Sequence, residues 1–302
     1  LLVGSLCVNW LPEIEEINGY FYTQKLLLGT YDTEDQINYL IMSKAKLPVT
    51  KKQNKDVKDL SKEIIKEFAK IEKIKVENKI RHDGEVNKAK AMPQNKDIIA
   101  TKADNGEVNI YKYSDFPKNI EPKSDEGIPE PTLKLKGQTQ IGYGLSWNPN
   151  QKGQIVSCSY DSSICLWDIE NKSSEPIKKY VEHIWECEDV CFSKKNPNLF
   201  ISCGDDKTIK IFDIRDNKSC NSIVGHEKEI NSVDINNNNE NLYITGSSDK
   251  TVALWDLRKP ELLLHSFLQH KDIITNVKWN PHNSNIFSSA GEDSMVLLWD
   301  IY

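Results

Sequence analysis

Residues 247–258 have the sequence SSDKTVALWDLR, and this stretch decides the fold of the chain. Ser247–Lys250 form a turn, and Thr251–Trp255 form an apolar run rich in β-branched and aromatic residues. A short run of this kind, bounded by charge, predicts a buried β-strand that ends at Trp255-Asp256. One turn and one strand cannot bury both faces of a sheet. The fold therefore depends on whether the unit recurs.

The unit recurs in a fixed register. In four copies an aspartate, here named the repeat aspartate, stands six positions before an aromatic residue. In three of them a histidine, the repeat histidine, stands twenty-three positions before that aspartate, and Gln138 takes this position in the fourth. A divergent fifth copy has His82, Asn105 and Tyr111 in the same frame. The four clearer copies contain Asp161 and Trp167; His183, Asp206 and Phe212; His226, Asp249 and Trp255; and His270, Asp293 and Trp299.

A period of about 40–45 residues that ends in a tryptophan-aspartate pair is the signature of the WD40 β-propeller, with one four-stranded blade per repeat. The sequence thus predicts an all-β propeller that occupies residues 1–302 as a single domain. The repeat histidine, the repeat aspartate and the aromatic residue of each copy are named here the frame residues. We interpret them as a structural hydrogen-bond network, because buried polar groups are normally paired with one another. Six sets of three inner strands are predicted, near residues 5–47, 85–114, 140–170, 185–214, 228–257 and 272–301, and the sixth set lacks an outer strand.

Composition excludes several functional classes. The chain has 302 residues, a net charge of −6, a pI of about 5.6 and a hydrophobic content of 38%. This acidity argues against nucleic acid as a partner and suits a basic protein.

No apolar run reaches the ~18 residues of a membrane helix, and we interpret residues 1–12 as a strand, not a signal peptide. No catalytic constellation or phosphate-binding loop stands apart from the repeats, which predicts no enzyme and no cofactor. Cys187 and Cys191 lack a second pair at zinc spacing.

Two segments interrupt the repeats. Residues 49–72 form a charged insertion in which Val57, Leu60, Ile64 and Phe68 recur at helical spacing. It is either an exposed amphipathic helix on the propeller or a partly disordered segment. Residues 115–131 are acidic and contain four prolines, which predicts a surface loop.

Several motifs together resemble the retinoblastoma-binding histone chaperones, the family of the small subunit of chromatin assembly factor one. They are WLP at 10–12, LGT at 28–30, GEVN at 84–87, MPQN at 92–95, GYGLSWNPN at 142–150, ICLWDI at 164–169 and DKTVALWDLR at 249–258. The resemblance spans nearly the whole chain except 49–73 and 117–131. It implies a seven-bladed propeller and a nuclear, non-enzymatic scaffold of chromatin complexes that binds histones H3 and H4. The family's H4 groove uses an N-terminal helix and a late acidic loop, neither recognised here, so that groove is assigned to no residue.

The same resemblance implies that a histone H3 tail binds on the narrow face, by residues just after the repeat histidine. Carboxylates around a narrow opening concentrate negative potential and can hold a guanidinium in bidentate fashion. We expect an arginine to enter between Glu85 and Glu188 and to pack on Tyr143. Ile141, Ile273 and Thr275 replace acidic or aromatic family residues, which predicts weaker or differently selective tail binding. The matching positions are Glu85, Asn87, Tyr143, Glu186, Glu188, Glu229 and Asn231.

One alternative comes from another functional class. Residues 255–258 (WDLR) and 212–215 (FDIR) resemble the tryptophan-aspartate-x-arginine element of substrate receptors for cullin-type ubiquitin ligases. That element also occurs in ordinary propellers. Affinity purification separates the two hypotheses, because a histone-binding scaffold recovers histones and other chromatin proteins whereas a receptor recovers a ligase adaptor.

Overall fold

Six antiparallel sheets are arranged as the blades of a WD40 propeller. The computed structural model describes residues 4–18, 21–31, 37–48, 74–118 and 127–302. Each sheet runs from an inner strand, next to the inner strands of neighbouring blades, to an outer strand. The predicted all-β propeller is confirmed with six blades, and a seventh blade is not observed among the described residues.

Blades 1 to 3 contain four strands each. Blade 1 consists of β1 Gly4–Asn18, β2 Phe21–Tyr31, β3 Asn38–Pro48 and β4 Ile74–His82. Blade 2 consists of β5 Val86–Met92, β6 Asn95–Ala103, β7 Val108–Lys112 and β8 Leu133–Leu135. Blade 3 consists of β9 Leu145–Trp147, β10 Gln154–Cys158, β11 Ile164–Asp168 and β12 Lys178–Tyr180.

Blades 4 and 5 also have four strands, whereas blade 6 has three. Blade 4 consists of β13 Cys187–Phe192, β14 Leu199–Gly204, β15 Thr208–Asp213 and β16 Ser219–Val224. Blade 5 consists of β17 Ile230–Ile235, β18 Leu242–Ser247, β19 Val252–Asp256 and β20 Leu263–Phe267. Blade 6 consists of β21 Ile274–Trp279, β22 Ile286–Gly291 and β23 Val296–Asp300.

The core is divided into apolar layers between neighbouring blades. Between blades 4 and 5, for example, Ile201 and Ile209 pack with Ile230, Tyr243 and Trp255, and all five are buried. Equivalent clusters join each other consecutive pair of blades. Burying such side chains contributes about 1.5–3 kcal/mol each, so every blade depends on its neighbours for stability.

The frame residues connect the turn of each blade to its second strand. In blade 5, His226 Nδ1 lies 3.0 Å from Asp249 Oδ2, and its Nε2 lies 2.7 Å from Thr245 Oγ1. Trp255 Nε1 donates to the same Thr245 oxygen at 2.9 Å. The repeat histidines of blades 4 and 6 make the same two contacts: His183 with Asp206 and Ser202, and His270 with Asp293 and Ser289, where Trp299 Nε1 also donates to Ser289.

Blades 2 and 3 keep the position of the frame but change its chemistry. His82 Nε2 lies 2.8 Å from Thr101 Oγ1, while its Nδ1 lies 3.0 Å from the carbonyl of Gly84 and not from a carboxylate. Gln138 Oε1 accepts from Ser157 Oγ at 2.6 Å and from the buried Lys102 amine at 2.8 Å. The divergent second repeat therefore folds as a blade without the histidine–aspartate pair.

One face of blade 6 leaves apolar side chains in solvent. Val296 and Leu298 are 70% and 78% exposed. Their neighbours on the opposite face, Phe287 and Trp299, pack towards blade 5. Strand β1 of blade 1 likewise exposes Val8 and Trp10.

The two predicted interruptions are only partly described. The charged insertion at 49–72 lies outside the described residues. Of the 115–131 loop, the described parts contain no α-helix or strand, and a short 3-10 helix at Tyr113–Asp115 precedes them. Along the described chain, no helix combines the length and the apolar composition needed to cross a membrane.

Asp249→Ala should lower the free energy of unfolding by ~1–3 kcal/mol, because it leaves a buried partner without its hydrogen bond. Asp249 binds the His226 ring and also accepts from Thr251 Oγ1 at 2.6 Å and from the Glu227 amide at 3.1 Å. Urea denaturation of the wild-type and variant proteins measures the difference.

Asp272→Ala is the matched control, because this half-exposed carboxylate pairs with Lys250 at 3.5 Å and accepts only the nearby Ile273 amide, at 3.0 Å, so no buried group loses its partner. Such surface pairs contribute about 0–1 kcal/mol. Equal destabilisation by the two substitutions would contradict the structural role given to Asp249.

Candidate functional site

A β-bulge interrupts the inner strand at the same point in four blades. In each case one residue, five positions after the repeat histidine or its equivalent, is left out of the pairing with the second strand. Bulges re-aim side chains and are common beside functional sites. Here they turn one side chain per blade towards the mouth of the central channel. The bulged residues are Asn87, Glu188, Asn231 and Thr275.

These side chains line one cavity of about 570 Å³, named here the channel mouth. Tyr143, which occupies the equivalent position in blade 3, joins them. A second set comes from the turns of blades 3, 5 and 6, where the residue just before the repeat aspartate also lines the cavity. Together with residues of the inner strands, the lining consists of Asn87, Lys88, Tyr143, Tyr160, Glu188, Asp189, Asn231, Ser248, Ile273, Thr275, Asn276 and Glu292.

Four of the seven predicted peptide-binding residues therefore line the mouth, namely Asn87, Tyr143, Glu188 and Asn231. The other three, Glu85, Glu186 and Glu229, do not line this cavity. The Glu186 carbonyl accepts from the Asp205 amide at 2.9 Å, and the Glu229 carbonyl accepts from the Ser248 amide at 3.0 Å. The backbone carbonyls of Glu186 and Glu229 thus hold in place the turns that contain Asp205 and Ser248. The charge of Glu85 still acts on the phenol of Tyr143.

Sequence reasoning missed the turn residues. Tyr160, Ser248 and Glu292 each precede the repeat aspartate by one position, and Asp205 holds this position in blade 4. This shared position was a readable signal in the repeat alignment. Glu292 lies beside Ile273 in the same lining, so blade 6 supplies a carboxylate to the mouth from its turn, although Ile273 itself is apolar.

Negative charge in the mouth is only partly compensated, by Lys88, which lies 3.9 Å from Asp189. Burial raises the pKa of Glu188 to about 7, and the nearby carboxylates of Asp205, Asp189 and Glu186 add to the effect. Burial likewise raises the pKa of Asp205 to about 6, with contributions from Glu186 and Glu229. A cation placed among these groups would favour their ionised forms. The mouth is thus electrostatically suited to a positively charged ligand.

Two tyrosines form the wall beside Glu188. The rings of Tyr143 and Tyr160 have centroids 5.8 Å apart and are inclined at 58°. The Tyr160 phenol faces the Glu188 carboxyl group and opposes the rise in its pKa that burial causes. Aromatic faces next to a carboxylate are favourable for a guanidinium group, which stacks and hydrogen-bonds at the same time.

Two asparagines complete the polar lining. Asn231 Nδ2 donates to the Ile274 carbonyl at 2.8 Å, which fixes its amide. Asn87 Nδ2 lies 3.4 Å from the Gly142 carbonyl, while its buried Oδ1 accepts no hydrogen bond from the described residues. That oxygen is suitably placed to accept a hydrogen bond from a ligand that enters the mouth.

The cysteines have structural surroundings. Cys187 and Cys191 are both buried on β13, and the Cys187 thiol lies 3.5 Å from the Cys203 carbonyl. Burial raises the pKa of both thiols. Among the described residues, no group of three or more His, Cys, Asp or Glu side chains could hold a metal ion.

Family models match three parts of the chain. Residues 1–49 match the model for the histone-binding protein RBBP4 and its counterpart in the CAF1 complex. Residues 147–255 match an EIPR1 beta-propeller, and residues 262–300 match a WD domain, G-beta repeat. The chain resembles the RBBP4-like WD40 histone chaperones. The matches confirm the resemblance that the sequence motifs indicated, and they agree with the six-bladed propeller.

Proposed function

We propose that this protein is a non-enzymatic histone-binding scaffold whose channel mouth binds an arginine of a basic histone tail, that of H3. The observation that carries the proposal is Glu188, a carboxylate held between other carboxylates and beside two tyrosine rings. The match of residues 1–49 to the RBBP4 histone-binding model supports the histone as the source of the basic peptide.

In the proposed complex the guanidinium lies against Tyr143 and Tyr160 and donates to Glu188. Asn87 Oδ1 accepts a further hydrogen bond. Glu85, Glu186 and Glu229 act at longer range by attracting the basic tail to the narrow face, as charges outside a contact mainly speed association. On the blade 6 side Ile273 and Thr275 are uncharged, and Glu292 supplies the carboxylate from the turn, so we propose that the tail is held less tightly there than at Glu188.

The resemblance also supports a nuclear location and partnership with other members of chromatin-assembly and chromatin-modifying complexes. Histone H4 is proposed as a second partner on the resemblance alone and is assigned to no residue. No contact with nucleic acid or membrane is proposed, in keeping with the net charge of −6.

The ubiquitin-ligase alternative is not favoured. Arg215 and Arg258 are exposed, but each is paired with the aspartate two residues earlier, at 2.6 Å from Asp213 and Asp256 respectively. This local pairing gives both arginines a role within an ordinary repeat. The family matches point to the histone chaperones.

We further propose that the exposed face of blade 6 packs against a seventh blade, as the resemblance implies. Without such cover, Val296 and Leu298 should drive self-association, since exposed apolar sheet faces associate. Sedimentation velocity should show concentration-dependent oligomers that diminish in the Val296→Ser/Leu298→Ser variant. Val224→Ser/Leu268→Ser, which removes similarly exposed side chains at the outer edges of blades 4 and 5, is the control. If residues 1–302 by themselves stay monomeric at all concentrations, this arrangement is refuted.

Glu188→Gln should weaken binding of an unmodified H3 tail peptide by ~2–5 kcal/mol, because it removes one member of a largely desolvated charge pair. Isothermal titration calorimetry measures the affinity. Replacing the buried arginine of the peptide by lysine should also weaken binding, since lysine offers neither a bidentate fork nor a planar group for stacking.

Glu292→Gln is the control, because it makes the same change of charge at a less enclosed position of the same cavity. We expect it to alter affinity by less than ~1 kcal/mol. If Glu188→Gln binds the peptide as tightly as wild type, arginine recognition at the mouth is wrong.

A further inference from the structure

A second cavity lies deeper in the channel and has the opposite charge character. Its volume is about 130 Å³, and it shares Lys88, Asp189 and Asn276 with the channel mouth. Lys88, Lys90 and Lys278 all line it, facing the carboxylates of Asp189 and Asp234. An acidic opening therefore leads to a chamber with three ammonium groups, named here the lysine chamber.

Both carboxylates of the chamber are already occupied by donors from the fold. Asp189 accepts from the Val190 amide at 3.0 Å, from Ser232 Oγ at 3.1 Å and from the Val233 amide at 3.3 Å. Asp234 accepts from the Trp279 amide at 2.8 Å. These bonds fix the two side chains across blade boundaries, so neither can turn towards another lysine.

The lysines share these two carboxylates unequally. Lys278 forms a hydrogen-bonded ion pair with Asp234. Lys88 lies 3.9 Å from Asp189, close enough for a longer ion pair. Lys90 makes no ion pair or side-chain hydrogen bond with any described residue. One positive charge in the chamber is left over.

The pKa of Lys90 is also consistent with a surplus of positive charge in the chamber. Burial, together with the charges of Lys278 and Lys88, lowers the pKa of Lys90 to about 7, although Asp189 opposes the shift. An ammonium group in such surroundings either gives up its proton or acquires a counter-ion. The polar lining supplied by Asn9, Ser232 and Asn276 suits a hydrated ion better than an apolar ligand.

We propose that the lysine chamber binds one small oxyanion of the phosphate or sulfate class between Lys88, Lys90 and Lys278. The cavity volume of about 130 Å³ lies well below the ~300 Å³ at which pockets for larger organic ligands start, which suits a small tetrahedral oxyanion. The proposal does not depend on the histone-binding function, because the anion and the basic peptide use different parts of the channel.

Sulfate is the probe, titrated into the peptide-free protein at constant ionic strength, with thermal unfolding as the readout. Wild type should show a saturable rise in Tm, since a ligand that binds only the folded state stabilises it. Lys90→Met should lose this rise. Without sulfate it should melt no lower than wild type, because it removes an uncompensated charge.

Lys152→Met is the matched control, since it removes one positive charge from an exposed lysine that pairs with Glu170. It should keep the wild-type response. A Tm rise of equal size in all three proteins would mean that sulfate acts by general exclusion from protein surfaces, and it would overturn the proposal. So would the lack of a saturable rise in wild type.

A second measurement on the wild-type protein keeps the test independent of the variant's folding. Calorimetric titration with sulfate should give several-fold weaker binding at about pH 8.5 than at about pH 6.5, because Lys90 must take up a proton to bind the anion. The other titratable groups that face Lys90 are Lys88, Lys278, Asp189, Asp234 and Cys191, and burial raises the pKa of the Cys191 thiol. Lys278 keeps its proton through this range, since the Asp234 carboxylate outweighs burial and raises the pKa of Lys278. Equal affinity at the two pH values would exclude Lys90 as an anion ligand.

Discussion

The buried contact between histidine, aspartate and a hydroxyl group is the interaction that organises blades 4, 5 and 6 of this propeller. In blades 4, 5 and 6 the histidine bridges the aspartate of the turn and a serine or threonine of the second strand. Burial alone would raise the pKa of Asp206, but hydrogen bonds from His183, Thr208 and the Ile184 amide outweigh it and lower the pKa to about 2. Since this pKa lies below the ordinary value, the bond's contribution to stability is present above about pH 4 and is lost as the pH falls towards 2.

The turn that this contact holds sets the position at which the inner strand begins. Equivalent residues of different blades therefore reach the same end of the channel and form one site. Because the bulge comes at the same distance from the repeat histidine, its side chain arrives at the same height in blades 2, 4, 5 and 6. In blades 3, 5 and 6 the residue before the repeat aspartate also reaches the mouth. Ordinary variation at these two positions is therefore enough to give the mouth its carboxylates and tyrosines without altering the fold.

Further along the same strands, the regular alternation places other residues in the lysine chamber. Lys90, Cys191, Asp234 and Lys278 all stand eight positions after the repeat histidine. The channel thus changes from acidic to basic over a few residues of strand. The acidic mouth attracts a cation, whereas the ammonium groups deeper in the channel repel it and so limit how far it can enter.

Much of the fold could be predicted from the sequence, whereas the site depends on side-chain direction. The interval between histidine, aspartate and tryptophan predicted the blades, because one physical solution recurs in each repeat. Glu85, Glu186 and Glu229 are the acidic residues expected of a rim that binds a basic peptide. Each of them directly precedes the first residue of an inner strand, however, and none of them lines the cavity. Tyr160 and Glu292 reach it from a turn for which the repeat pattern predicted only a structural role. The bulges, which decide these directions, leave no signal in composition.

We propose that Glu188 is held among like charges so that an arginine can occupy the mouth. An NMR titration of the Glu188 side-chain carboxyl carbon, with and without the H3 tail peptide, tests this. We expect a pKa near 7 in the free protein and a clear fall once the guanidinium binds. A pKa near the ordinary glutamate value of about 4.3 in the free protein, or a value that the peptide leaves unchanged, would contradict it.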